Sequence, residues 1–360
     1  MSDVFESLSA ELTEKILRQL PIPDLVRASL TCRLFRGLIL SPGFPWRPCP
    51  WFFFCGLHNI SSKYHRSYGF DPSSFSWFRF PSPPVRLDDL SATQGFYFVT
   101  TSSSSFSLSP ILRPHWISLP PLFSPRSNAL ISVFSNSCII VVGGARFTGR
   151  LVDLGERLDA EIYDPETGSW CVFPRLPIDL PRGYSAQTLT SVIFRNKFFV
   201  LGIYSLVITW FDLGLKCWGP VQQLRIPIAC FSFLIACHDT LVVAGMCQGP
   251  YRVIIWSIND ESMEVREISV MPMDFLEDLV DVPGDEEKFA SVKCVGLGNL
   301  VYVFNQNHYN GFSTCVFNID TGQWMKLPPL PTSVSKFHKI ITSCSDVSHR
   351  DIFRVEDEPN

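Results

Sequence analysis

Histidine, cysteine, tyrosine and carboxylate side chains are the groups from which a catalytic or metal site would be assembled, and in this chain they are scattered. The seven histidines, His58, His65, His115, His238, His308, His338 and His349, show no metal-ligand spacing. The twelve cysteines contain no C-x-x-C pair, so zinc spacing is absent. Cys138, Cys230, Cys294 and Cys315 stand within apolar stretches and read as buried free thiols of a reducing compartment, cytosol or nucleus. Gly143-Gly144 is not a phosphate loop, because no helix carrying Lys-Ser/Thr follows it. No nucleophile elbow or Ser–His–Asp arrangement can be traced. The chain therefore reads as non-enzymatic, with no metal and no cofactor, and the chemistry left to it is binding.

Two stretches are rich in binding groups. Ala145 to Asp159 carries Arg146, Arg150 and Arg157, with Asp153 and Glu156 among them. Asp274 to Lys288 carries seven acids, Asp274, Glu277, Asp278, Asp281, Asp285, Glu286 and Glu287, and ends in Lys288. The elements that would position these stretches follow from a repeat. An aromatic residue precedes Asp or Asn, and Trp stands six positions after that acid or amide: Phe70-Asp71 to Trp77, Tyr163-Asp164 to Trp170, Phe211-Asp212 to Trp218, Phe317-Asn318 to Trp324. Weaker copies run from Ile258-Asn259 to Val265 and from Pro110 to Trp116. Three residues beyond each of these anchors lies an apolar residue: Phe80, Leu119, Phe173, Val221, Ile268 or Leu327. Four of them are followed at once by Pro81, Pro120, Pro174 or Pro328. The anchors are 39 to 59 residues apart, a period that means a stacked or radial array.

Each copy carries four strand signals. In the fourth they are Leu189 to Phe194, Phe198 to Gly202, Leu206 to Asp212 and Trp218 to Val221, with a polar turn at Arg195-Asn196-Lys197. The turn recurs at Ser135-Asn136-Ser137, His238-Asp239-Thr240 and Gly298-Asn299, where Asn and Asp suit tight backbone. Second strands end in Gly143-Gly144, Gly202 or Gly245, which lets backbones approach closely. The 22-residue apolar run from Ile226 to Cys247 is long enough to span a membrane. His238-Asp239-Thr240 divides it where other copies have their turn, so it reads as two strands. The first copy begins at Trp51 to Cys55, a second strand with no first. Lys339 to Ser343 is an unassigned strand after the last anchor, expected to complete that blade and remove two open edges.

Four-stranded units of this length, with Gly pairs and spaced aromatics, resemble kelch repeats over residues 46–345. Six would close an all-β propeller. Some kelch-like propellers are copper oxidases with Tyr and His ligands near the axis. By that resemblance His308 and Tyr309 are the nearest candidates, but they stand in a polar stretch, Asn305 to Gly311, that reads as an exposed loop. In an antiparallel blade, loops joining strands two and three share an end with loops leading to the next blade. The arginine-bearing and acidic stretches therefore rim the same end. Arg146, Arg150, Arg182, Tyr184, Tyr204, Tyr251, Glu286, Glu287, His308 and Tyr309 are the candidate binding residues there.

Residues 1–44 differ. Leu12, Ile16, Leu17 and Leu20 recur at helical spacing, with Glu11 and Glu14 early and Lys15 and Arg18 late. Pro21 ends this helix, Pro23-Asp24 opens a second, and Cys32, Phe35, Leu38 and Ile39 mark a third. About 40 helical residues bury too little apolar surface to stand alone, so the segment must pack on the ring or on a partner. The run Leu8, Leu12, Ile16-Leu17, Leu20-Pro21, Asp24-Leu25, Cys32, Phe35 and Leu38-Ile39 resembles an F-box. Ser9 stands where Pro is typical, with looser entry to the helix expected, and Phe35 where Trp is common. Together the two resemblances place the chain near the F-box/kelch-repeat proteins of the large plant group. They imply a three-helix F-box, a six-bladed propeller and a flexible tail over 346–360. By resemblance, the F-box grips a Skp-family adaptor, and through it a cullin, while the propeller holds a client for ubiquitination. Leu8, Leu12, Ile16, Leu20, Pro21, Leu25 and Phe35 are the candidate adaptor contacts, some of which must form the F-box's own core. The alternative is a kelch scaffold whose helical head caps its own ring. A net charge of −4 gives no nucleic-acid footprint. The acidic start, with Asp3, Glu6, Glu11 and Glu14, is unlike a signal peptide, and no membrane partner is expected.

Overall fold

A computed structural model describes residues 8–44, 48–83, 90–100, 105–135, 137–148, 151–153, 158–177, 183–226, 229–247, 251–280, 291–306, 312–348 and 351–352. The head holds α1 (Ala10–Leu17), α2 (Ile22–Thr31) and α3 (Arg33–Ile39). Ser9 is the N-cap of α1: its hydroxyl accepts from the Leu12 N–H at 3.2 Å, so the residue expected to loosen this entry closes it instead. Lys15 and Glu11 pair across one turn at 2.9 Å. Cys32 is extended, which breaks α2 from α3, and its sulfur accepts from the Phe35 N–H at 3.3 Å. Leu17, Leu25, Ile39 and Phe44 form the head's core, with Leu20, Ala28, Phe35 and Leu38 packed against it.

Six four-stranded antiparallel sheets follow as the blades of a propeller. Blade two is Leu90–Thr93, Phe96–Thr100, Phe106–Pro110 and Ile117–Leu119, and blade three is Leu130–Phe134, Cys138–Val142, Ala160–Asp164 and Ser169–Phe173. Blade four is Leu189–Phe194, Lys197–Gly202, Val207–Asp212 and Cys217–Trp218, with Gln222–Gln223 extending its edge. Blade five is Ala229–Cys237, Thr240–Cys247, Arg252–Ile258 and Val265–Val270; blade six is Val292–Leu297, Leu300–Asn305, Thr314–Asn318 and Gln323–Lys326. The apolar run from Ile226 is thus the first two strands of blade five. Among the described residues no helix is long and apolar enough to cross a membrane.

Blade one takes its innermost strand from the far end of the chain. His338–Val347 pairs antiparallel with Cys49–His58, from His58↔His338 to Cys49↔Val347, and Arg66–Asp71 and Ser76–Phe80 complete the sheet. The innermost strands of all six blades pack in sequence around a closed ring. Val347 is buried, and the Arg113 guanidinium donates to the Ile352 carbonyl, so the start of the segment expected as a free tail is held. Residues 353–360 lie outside the described set.

The repeat has a physical explanation. Each aromatic residue pairs with its Trp across the hairpin (Phe70↔Trp77, Tyr163↔Trp170, Phe211↔Trp218, Phe317↔Trp324), with ring centroids 5.0 to 5.3 Å apart. The Asp or Asn closes the turn: Asp212 Oδ1 accepts from Gly214 and Leu215 N–H, and Asn318 Oδ1 from Asp320 and Thr321 N–H. The indole N–H reaches back to the preceding blade. Trp170 donates to the Pro120 carbonyl at 2.8 Å and Trp218 to Pro174 at 2.6 Å. Three of the prolines after the anchors, Pro120, Pro174 and Pro328, are therefore acceptors that join neighbouring blades, while Trp324 donates to the Ser269 hydroxyl at 2.9 Å. Gly143 has φ +63, and a Cβ there would lie 2.2 Å from the Tyr184 carbonyl, so this close approach admits no side chain.

Candidate functional site

Strand direction sorts the surface into two ends. The head enters at Cys49, beside Val347 and the turns joining first to second strands. The loops joining second to third strands, and those between blades, open at the opposite end. Head and rim therefore face apart.

The head meets the ring through α2. Ile22 is 1 % exposed and belongs with Trp51, Leu57, Tyr97, Ile111 and Val347 to a cluster against which Val26 also packs. The candidate adaptor contacts divide by position. Leu25 lies in the head's core, so it is a structural residue and not a surface one. Leu20 and Phe35 pack against that core, and Leu8 and Pro21 are half-buried. Leu12 and Ile16, one turn apart on α1, are each 45 % exposed. Leu30 and Leu34 are exposed as well, although spacing alone did not single them out. The head thus has a satisfied core, a docked edge and an uncovered apolar face.

At the rim, Arg146 and Tyr204 are exposed and Tyr251 is half-buried against the blade five and six core. Tyr184 is buried in the cluster between blades three and four, and its carbonyl accepts from the Gly144 N–H at 2.8 Å. It is an interior residue, a correction to its placement on the rim. Arg150, Arg182, Glu286, Glu287, His308 and Tyr309 lie outside the described residues. The arginine-bearing insertion forms a hairpin of Arg146–Thr148 with Leu151–Asp153.

The acidic stretch begins not as a loop but as a helix, α4 (Met273–Val280). Leu276, Leu279 and Val280 are buried, with Phe275 packed beside them, and the helix lies on blades five and six. Apolar residues at helical spacing outweighed the charge. Asp274 lies 4.0 Å from Lys326, and Asp278 is ion-paired to it. Hydrogen bonding to Asp278 raises the Lys326 ammonium above the ordinary lysine range.

Two rim features escaped the sequence reading. Arg126 and Glu161 form an ion pair with both side chains buried. The Arg126 guanidinium also donates to the carbonyls of Asp159 at 2.9 Å and Gly143 at 3.2 Å, while Glu161 accepts from the N–H groups of Phe123 and Ser124. Burial lowers the Arg126 pKa, and Glu161 opposes that shift. This network fixes the loop entering blade three. The second feature lies on blade one. The rings of His58 and His338 are 5.0 Å apart, and Tyr64 and Phe337 stand 5.1 and 6.0 Å from His58. Its signal is that segments 58–66 and 327–345 contain no Asp or Glu.

Among the described residues no group of three His, Cys, Asp or Glu is placed to hold a metal. Among the described residues the twelve cysteines form no disulfide, and burial pushes the Cys294 and Cys315 thiols up to about 12. At the head-bearing end a polar cleft of about 600 Å³ lies between blades five and six, lined by His238, Asp239, Asn299 and Asp320 among others.

A family model described as F-box domain matches residues 5–47, so the head is an F-box. No curated protein matches the chain. A solved structure described as "Structure of YjhT" is similar at 12% sequence identity and a TM-score of 0.47, over 71% of this chain and 87% of that one.

Proposed function

We propose that this protein is the substrate-recognition subunit of an SCF-type ubiquitin-protein ligase, acting in the cytosol or nucleus. The observation that carries the reading is an F-box whose Leu12 and Ile16 remain exposed at one end of a six-bladed propeller. That face binds a Skp-family adaptor and through it a cullin. The opposite rim, of kelch type, binds the client. No residue of this chain performs chemistry: joining the client to the ligase raises their effective concentration for one another. Arg146, Arg150, Arg182, Tyr204, Tyr251, His308 and Tyr309 contribute rim contacts. The acidic stretch, through Glu286 and Glu287, speeds encounter with a basic client segment.

The test is capture of adaptor and cullin from extract by the full-length protein. Recovery of both supports the ligase reading, and a folded protein that recovers neither removes it. The packing of Ile22 and Val26 on the ring favours a second reading, a scaffold whose head is a fixed cap. Failure of adaptor capture would leave that one standing.

A further inference from the structure

We propose that the corner where blade one meets blade six is a docking surface for an acidic protein segment carrying an aromatic or aliphatic anchor. This assigns a client chemistry to one part of the rim and rests on the receptor reading. Ile60 is 76 % exposed, and Tyr64 and Phe337 are each 43 % exposed. They stand on two rim loops that ring closure brings together, and the Asn59 N–H donates to the Phe337 carbonyl at 2.9 Å. The Tyr64 carbonyl faces His338 Nε2 at 3.3 Å, and residues Ser62–Tyr64 form a 3-10 turn. The apolar groups are therefore presented on tied backbone, which lowers the ordering cost of binding.

Charge selects the partner. Lys63 Nζ lies 5.2 Å from the centre of the Tyr64 ring, and Lys336 Nζ lies 5.6 Å from that of Phe337. Arg66 donates to the carbonyls of Lys63 and His65 in the same turn. Both lysines are exposed, and among the described residues neither has a carboxylate partner. Segments 58–66 and 327–345 contain no acid, so from these two segments an approaching carboxylate meets only cations and neutral groups. Exposed aromatics beneath unpaired lysines match an anchor side chain flanked by Asp or Glu. The acidic helix α4 lies further round the same end, so the rim takes segments of opposite sign at separate places.

The experiment is phage selection of a random peptide library on full-length protein. It is repeated on the Lys63→Glu/Lys336→Glu double variant and on Phe337→Ala. Enrichment of acidic peptides with an aromatic or aliphatic residue is expected on the wild type. An enriched peptide should lose affinity about tenfold on the charge-reversed variant at low salt, and less at high salt. It should also weaken on Phe337→Ala. Selection of basic or neutral peptides, equal binding to the charge-reversed variant, or no enrichment would overturn the proposal. Adaptor capture by the same preparations separates the two readings. Adaptor retained without acidic peptides overturns this inference alone, and acidic peptides without adaptor overturn the ligase assignment alone.

Discussion

The indole N–H of Trp77 donates a 2.8 Å hydrogen bond to the carbonyl of Pro328, 251 residues further along the chain. It joins the outer strand of blade one to the exit of blade six, across the same junction that His338–Val347 closes by strand pairing. Trp77→Phe keeps a ring against Phe70 but loses the donor. A loss of about 1 kcal/mol is expected by chemical denaturation. Trp170→Phe should cost a similar amount through Pro120. Removing residues 338–360 should do far more, because it strips blade one of its inner strand and reopens the ring. The expected readout is loss of the cooperative unfolding transition.

Arg126 and Glu161 predict strong non-additivity. Arg126→Met leaves a buried carboxylate facing only two backbone N–H groups. Breaking one partner of such a pair costs about 3–5 kcal/mol. Arg126→Met/Glu161→Gln should cost clearly less than the two single changes together, as a double-mutant cycle in denaturant would measure.

His65 predicts a pH effect. Its side chain is buried, and desolvation lowers its pKa from the ordinary 6.5. Backbone hydrogen bonds to His58 and Pro83 oppose the shift, and charge on His338 and His58 adds to it. The unfolded chain therefore binds the proton more readily. The associated stability is present above pH 6.5 and is lost as pH falls through the lower folded value. Melting temperature should drop more on acidification in the wild type than in His65→Gln. A parallel fall in both proteins would contradict this.

The core–surface division of the head predicts two classes of variant. Leu25→Ala removes a core side chain and should cost about 2–5 kcal/mol of the head's stability. Ile22→Ala should loosen the head from the ring, read as faster hydrogen exchange in α2. Leu12→Asp and Ile16→Asp alter only the exposed face and should leave the melting transition unchanged.

The blades were legible because each repeat residue acts locally: Asp212 closes its own turn and Phe211 meets Trp218 across it. The Pro carbonyls were visible as a pattern, but their role as acceptors needed the neighbouring blade. Leu12 and Leu25 look alike in sequence, since a short amphipathic helix does not reveal which side faces a neighbour. Helix α4 was hidden because its acids drew attention from Leu276, Leu279 and Val280. The basic corner was hidden because Tyr64 and Phe337 become neighbours only when the ring closes.

The proposed function requires that an F-box held on the ring through Ile22 still offer Leu12 and Ile16 to an adaptor. Deleting residues 1–44 is a poor probe, because it would also bare the propeller residues clustered with Ile22. The direct measurement is calorimetric titration of a purified Skp-family adaptor into the full-length protein and into Leu12→Asp/Ile16→Asp. One-to-one binding by the wild type, abolished in a variant with an unchanged melting transition, is the predicted result. A folded wild type that binds no adaptor, or a variant that binds equally well, would contradict it.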